Sequence, residues 1–305
     1  MIVRTDDVAG SIEAEIASQP ACWLRAAELV AGMRARLPER GERVAVAGCG
    51  TSWFIAQSYA AAREAAGHGE TDAFAASEMP TGRRYDRVLV LCRSGTTTEI
   101  LDLLARLAGI ASTVAITADP ATPVARAADA VIAISFADEQ SIVQTRFATT
   151  ELALLLAHLG HDIAPMAAAA QDVLAAPLPP ELTSAEQFTF LGTGWTCGLA
   201  SEAALKLREA AGYWTEAYPA MEYRHGPIAI AGPGRVVWLL GAPPDGLTDE
   251  VAAAGGLAWH ARETRDAPLA ELVRVHRLAA SIARARGLDP DQPRNLTRSV
   301  ILLSR

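Results

Sequence analysis

The sequence has 305 residues, half of them hydrophobic and a fifth charged, with a formal net charge of −8. That length suits two ordinary domains, and the acidic balance without a basic patch argues against a nucleic-acid partner. No apolar run reaches the roughly 18 residues of a membrane span, and residues 1–15 hold no apolar signal core, so the expectation is a cytoplasmic chain with no membrane partner.

Residues 8–37 place apolar side chains at helical spacing, and Pro20 predicts a break into two helices there. A β-branched run at 43–47 predicts a strand that ends in Gly48-Cys49-Gly50-Thr51-Ser52, followed by a helix to about residue 66. A second buried strand at 87–91 runs into Cys92-Arg93-Ser94-Gly95-Thr96-Thr97-Thr98-Glu99 and a helix to about residue 107. Strands follow at 112–117 and 130–134 with a short helix between, then a long helix over 143–158. Short, wholly apolar strands alternating with helices predict a mostly parallel sheet covered on both faces.

The proline-rich stretch 176–186 reads as a linker. Beyond it the scheme restarts: a strand at 188–191, the turn Gly192-Thr193-Gly194-Trp195, a helix over 196–211 and a strand at 236–240. This weak duplication predicts two tandem α/β domains, 1–175 and 176–305. Between 241 and 289 only helices are legible, so the second sheet is expected to be reduced.

The four cysteines, Cys22, Cys49, Cys92 and Cys197, form no C-x-x-C pair, and no histidine cluster has zinc spacing. Four free, mostly buried thiols and no metal or cofactor are the expectation. In an open parallel sheet, ligands bind where strand ends enter helices. Three such loops are rich in glycine and hydroxyls: 48–52, 94–98 and 192–198. Ser94, Thr96 and Thr97 stand at a helix start where backbone N–H groups and hydroxyls suit an anion, with Gly95 permitting close approach. A plain helix cap by Thr96 or Thr97 explains the same residues. The helix after the third loop carries Glu202, Lys206 and Glu209 at i, i+4 and i+7, on one face. Lys206 is the sole lysine among 27 basic residues. A surface ion-pair ladder is the commoner meaning of such spacing. His225, before Gly226-Pro227 in a polar turn, is either structural or a proton shuttle. No P-loop, dinucleotide fingerprint or G-x-S-x-G elbow is present.

Taken in order, residues 48–52, 94–99, 202–230 and 291–302 resemble the sugar isomerase (SIS) family, in particular the isomerase half of glucosamine-6-phosphate synthase. The resemblance spans about 44–302. It implies two tandem SIS domains of flavodoxin-like three-layer build and a phosphosugar ligand. Gly50, Thr51 and Ser52 fall where the family's first loop contacts the sugar phosphate. Ser94 and Thr97 match its phosphate ligands, with Gly95 and Thr96 between them and with Cys92 and Arg93 standing where Ser and Gln are frequent. Val143 lies in a segment that lines the family's pocket. Glu202 shares the pocket-facing helix, Glu209 matches the carboxylate that moves a proton between C1 and C2, and Lys206 the lysine beside it. His225 matches the ring-opening histidine, which in the family reaches across from a second subunit, so a homodimer is expected. Arg298 replaces the lysine that forms an imine in the synthase. Arginine stays protonated and is not nucleophilic, so an imine would have to form on Lys206 or not at all; the expectation is none, with Arg298 left to bind or orient substrate. With no glutaminase domain ahead of the SIS pair, the chain is expected not to make ammonia from glutamine. The implied activity is an isomerase or deaminase acting on an amino-sugar 6-phosphate. The alternatives are a fructosamine-phosphate deglycase, which needs more room beside Glu209, and a non-catalytic phosphosugar sensor.

Overall fold

A computed structural model describes residues 12–264 and 266–302. By its internal packing the chain divides into two units, which are not contiguous in sequence. One comprises Ala21–Asp138, Arg146–Ile163 and Thr297–Leu302. The other comprises Ile12–Pro20, Glu139–Thr145 and Ala164–Leu296.

The first helix, α1 (Ile12–Met33), runs unbroken through Pro20, which corrects the expected break. Proline removes the N–H that would bond the carbonyl of Ile16. The Gln19 side-chain amide supplies the replacement donor, 3.2 Å from that oxygen, and the helix continues. Residues 8–11 lie outside the described residues.

The first of these units holds a five-stranded sheet. In chain order it contains β1 (Val44–Gly48), α2 (Thr51–Ala65), β2 (Thr71–Ala75), β3 (Arg87–Leu91), α3 (Thr98–Leu107), β4 (Ser112–Thr117), α4 (Pro123–Ala127), β5 (Ala130–Ala133) and α5 (Arg146–His158). The strands are all parallel, in the order β2-β1-β3-β4-β5. Every residue of β1 is buried, as a strand covered by helices on both faces requires. The α3 helix buries Ile100, Leu103, Leu104 and Leu107, the i, i+3, i+4, i+7 stripe that packs a helix on a sheet. Strand order reverses between β1 and β3, so the crevice outside their carboxyl ends is the expected ligand position of this winding. On α5, Glu151 is fully buried with neither carboxyl oxygen hydrogen-bonded. Burial pushes its pKa well up, favouring the neutral acid. The long helix expected from 143 starts three residues later, at Arg146.

The second unit contains α6 (Ala164–Ala175), α7 (Pro180–Thr183), β6 (Gln187–Gly192), α8 (Thr196–Ala211), β7 (Thr215–Pro219), β8 (Arg235–Leu240), α9 (Leu247–Ala253), β9 (Leu257–Trp259) and α10 (Pro268–Ala285). Its four strands are parallel, in the order β7-β6-β8-β9. This is the winding of the first sheet with one strand fewer. The region 241–289 does hold a strand, β9, three residues long, and the proline-rich 176–186 stretch folds one helical turn as α7. Both differ from the sequence reading. A buried carboxylate, Glu271 on α10, knits this unit. It accepts from the indole N–H groups of Trp238 and Trp259 at 3.0 Å each, from Thr264 Oγ1 at 2.7 Å and from Arg274 Nε at 3.1 Å.

All four cysteines are free, but only Cys92 is buried and the other three are half-buried, which corrects the expectation of mostly buried thiols. Among the described residues no helix is long and apolar enough to cross a membrane.

Candidate active site

In the five-strand unit the candidate residues gather at the carboxyl ends of β1 and β3. Gly48 ends β1 and cannot be larger: a Cβ there would stand 2.5 Å from the backbone carbon of Ser52. Gly50 takes φ 55, and the chain enters α2 at once, with Thr51 and Ser52 buried in its first turn. Burial pushes the Cys49 thiol up to about 12, so it is no nucleophile near neutral pH.

The turn after β3 is built on Gly95. Its φ of 65 suits glycine, and an added Cβ would stand 2.0 Å from Thr122 Oγ1. Thr97 is the N-cap residue of α3, yet its side chain makes no capping bond. The hydroxyls turn to one another instead. Ser94 Oγ and Thr97 Oγ1 are 3.4 Å apart, with the Cys92 thiol 3.7 and 3.6 Å from them. Thr96 Oγ1 donates to Ser299 Oγ at 2.9 Å, Ser94 Oγ donates to the same oxygen at 3.2 Å, and Thr97 Oγ1 lies 3.4 Å from it. The helix-cap explanation of these threonines therefore fails for Thr97. Arg93, buried, donates to the carbonyl of Arg298 at 3.3 Å. The Arg298 guanidinium is ion-paired with Asp138, so its charge has a protein partner beside the turn.

In the four-strand unit α8 carries Glu202, Lys206 and Glu209, and their face is not a solvent ladder. The Glu202 and Lys206 side chains are 0% and 1% exposed, with Lys206 Nζ 3.5 Å from Glu202, and Glu209, hydrogen-bonded to the same ammonium, is 20% exposed. Burial works against the lysine's charge, but the Glu202 and Glu209 carboxylates outweigh it and hold its pKa above the usual value. An ammonium so held is a poor imine-forming nucleophile. Glu139 also acts on Lys206 while accepting from Thr145 N at 2.7 Å and Thr145 Oγ1 at 2.9 Å. That pins the 139–145 loop in this unit, with Val143 buried in it. Glu15 braces the same loop, accepting from Gln140 N at 2.6 Å. His276 is fully buried nearby, and burial together with the Lys206 charge drives its pKa well down, leaving it neutral. His225 ends the 3₁₀ turn Glu222–His225 and is exposed, followed by Gly226 at φ 131. A cavity of about 600 Å³ adjoins Glu209, with Arg208, Arg286 and Arg294 among its lining residues.

The structure thus brings together Cys92, Ser94, Thr96 and Thr97 in one unit and Glu202, Lys206 and Glu209 in the other. Ser299, Glu139 and Glu15 were missed by the sequence reading. Ser299 lay next to Arg298 in a segment already singled out, and its hydroxyl was the available signal. The two glutamates offered none, because no spacing in the sequence ties them to the backbone N–H groups and side chains they engage.

Residues 39–159 match the family model described as SIS domain. The isomerizing glutamine–fructose-6-phosphate aminotransferase of Sulfurisphaera tokodaii is 27% identical, over 86% of this chain and 50% of that protein. The chain spans half or less of the length of such curated relatives. The crystal structure of glucosamine-6-phosphate deaminase from Thermotoga maritima superposes with a TM-score of 0.83 at 24% identity, covering 95% of this chain and 99% of that one. Tagatose-6-phosphate ketose/aldose isomerase from Escherichia coli gives 0.77 at 18% identity, covering 100% of both. These two likenesses are of fold.

Proposed function

We propose, for a chain that belongs through residues 39–159 to the SIS domain family, that it is a sugar-phosphate isomerase or deaminase acting on a hexosamine 6-phosphate. The observation that carries this reading is the convergence of the Ser94, Thr96 and Thr97 hydroxyls at the carboxyl end of β3, spent on one another rather than on capping α3. Three hydroxyls and a helix start suit the oxygens of a phosphate monoester.

Glu209 is the base in this proposal. It takes the C2 proton of the open-chain hexosamine and returns it to C1, leaving a C2 imine that water hydrolyses to the ketose 6-phosphate and ammonia. Lys206 holds the carboxylate in place, and His225 opens the sugar ring from the partner subunit of a homodimer. Two tandem SIS domains, the assignments of Gly50, Thr51, Ser52, Val143 and Glu202 to the pocket, and substrate orientation by Arg298 belong to the same proposal.

A second reading, deglycation of a fructosamine phosphate, has the 600 Å³ cavity beside Glu209 in its favour, since an amino-acid substituent on the nitrogen needs room that ammonia does not. Calorimetric titration tests the carrying observation. Glucosamine or galactosamine 6-phosphate is expected to bind and the unphosphorylated hexosamine to give no measurable heat. Equal binding of the two would remove the phosphate from the account.

A further inference from the structure

Ser299 does more in this fold than fasten a chain end. The C-terminal segment runs along the hydroxyl turn in register. The Arg298 carbonyl accepts from Arg93 at 3.3 Å, Val300 O accepts from Thr98 N at 3.1 Å, and Leu302 N donates to Thr98 Oγ1 at 2.9 Å. These backbone bonds seat the segment without help from the Ser299 side chain. The Ser299 hydroxyl is thereby left to the turn, and there it is the hub. It receives Thr96 Oγ1 and Ser94 Oγ and lies within 3.4 Å of Thr97 Oγ1.

A hydroxyl has two lone pairs and one proton. At Ser299 both lone pairs are taken by donors, and Thr97 Oγ1 lies within reach of its proton. Its oxygen therefore occupies a point that two hydroxyl donors already address. An anionic oxygen at that point makes charge-assisted bonds about twice as strong as neutral ones.

We propose that Ser299 is a fourth hydroxyl of the phosphate site, contributed by the C-terminal segment, and that it changes role when ligand arrives. Without ligand, Ser299 Oγ is the acceptor that satisfies Ser94 and Thr96. With a phosphate monoester present, a phosphate oxygen takes over those two donors. Ser299 then turns its own proton onto the phosphate. The recognised group is a dianionic phosphate ester, and the inference rests on the phosphosugar reading above. Arg93 and Thr98 are the positioning residues of this arrangement, because they hold the segment that carries Ser299.

The sign of one substitution decides the matter. Loss of a hydrogen bond to a charged group weakens binding by about ten- to a hundred-fold. Ser299→Ala in the full chain is therefore expected to raise the calorimetric Kd for glucosamine 6-phosphate by that factor. Ser299→Thr, which keeps the hydroxyl, should restore affinity to within a few-fold. An unchanged Kd in Ser299→Ala would overturn the proposal, and a tighter one would mean that the hydroxyl only plugs the empty site. Wild-type protein that binds neither glucosamine nor galactosamine 6-phosphate would instead overturn the underlying phosphosugar reading, and this inference with it.

Discussion

Glu209→Gln is expected to lower kcat on a hexosamine 6-phosphate by about 10²–10⁴-fold, the usual contribution of a general base, while the Kd for the same ligand stays within a few-fold. Gln keeps the length of the side chain and offers an oxygen to the Lys206 ammonium that Glu209 now engages, but it cannot accept a carbon-bound proton. The buried pair of Lys206 with Glu202 remains to hold α8 in place. A side chain 20% exposed and set against a cavity of about 600 Å³ is accessible to a small ligand, unlike Glu202, whose side chain is fully buried. Rapid-mix kinetics under single-turnover conditions, with calorimetry on the variant, separate the two quantities. Retention of full turnover would move the base to another residue.

Glu271→Ala is expected to destabilise the four-strand unit by about 3–5 kcal/mol, the usual cost of breaking one side of a buried ion pair. The carboxylate is 2% exposed and its partner Arg274 4% exposed, and the variant leaves that guanidinium only the exposed Glu263 carboxylate, 3.0 Å away. The substitution also leaves the Trp238 and Trp259 indoles and Thr264 Oγ1 without the acceptor they share, and each stranded donor adds to the penalty. Glu271→Gln should cost less, because an amide oxygen still serves the indoles. Its NH₂ group, however, faces the Arg274 guanidinium. Urea unfolding followed by tryptophan fluorescence reports both, since two of the indoles sit on the affected carboxylate. A loss below about 1 kcal/mol in the Ala variant would show that the network is not holding the unit together.

The central strands were legible in the sequence, and of the four edge strands only β5 was. β3 is apolar after Arg87, β4 centres on Val114-Ala115-Ile116, and both are buried beyond their first residue; the strand readings at 87–91 and 112–117 coincide with them. The three strands that were missed, β2, β7 and β9, all lie at sheet edges. Their residues are mostly half-buried, so Thr71–Ala75 and Thr215–Pro219 carry polar side chains that erase the apolar run a strand is recognised by. The unbroken α1 was illegible for a different reason. A side-chain amide replacing a missing backbone donor at Pro20 leaves no periodicity to detect.

At the site, the hydroxyl turn was readable because its chemistry is concentrated in five consecutive residues. Spacing alone could not choose between a solvent ladder and a buried triad on α8, since i, i+4 geometry is common to both. What decides it is the packing of α10 and the 139–145 loop around Lys206, made by residues distant in sequence such as Glu139 and His276. Ser299 was hidden in the same way, because its partners Ser94 and Thr96 lie some two hundred positions earlier in the chain.

Direct assay of the products bears most closely on the central claim, that a phosphate-anchored sugar has a proton moved between C1 and C2. Purified protein is incubated with glucosamine 6-phosphate and with galactosamine 6-phosphate, and ammonia and ketose 6-phosphate are measured together. The account predicts that one of these substrates gives both products in equal amounts. Recovery of both sugars unchanged from protein that demonstrably binds them would contradict it and leave a phosphosugar sensor in its place.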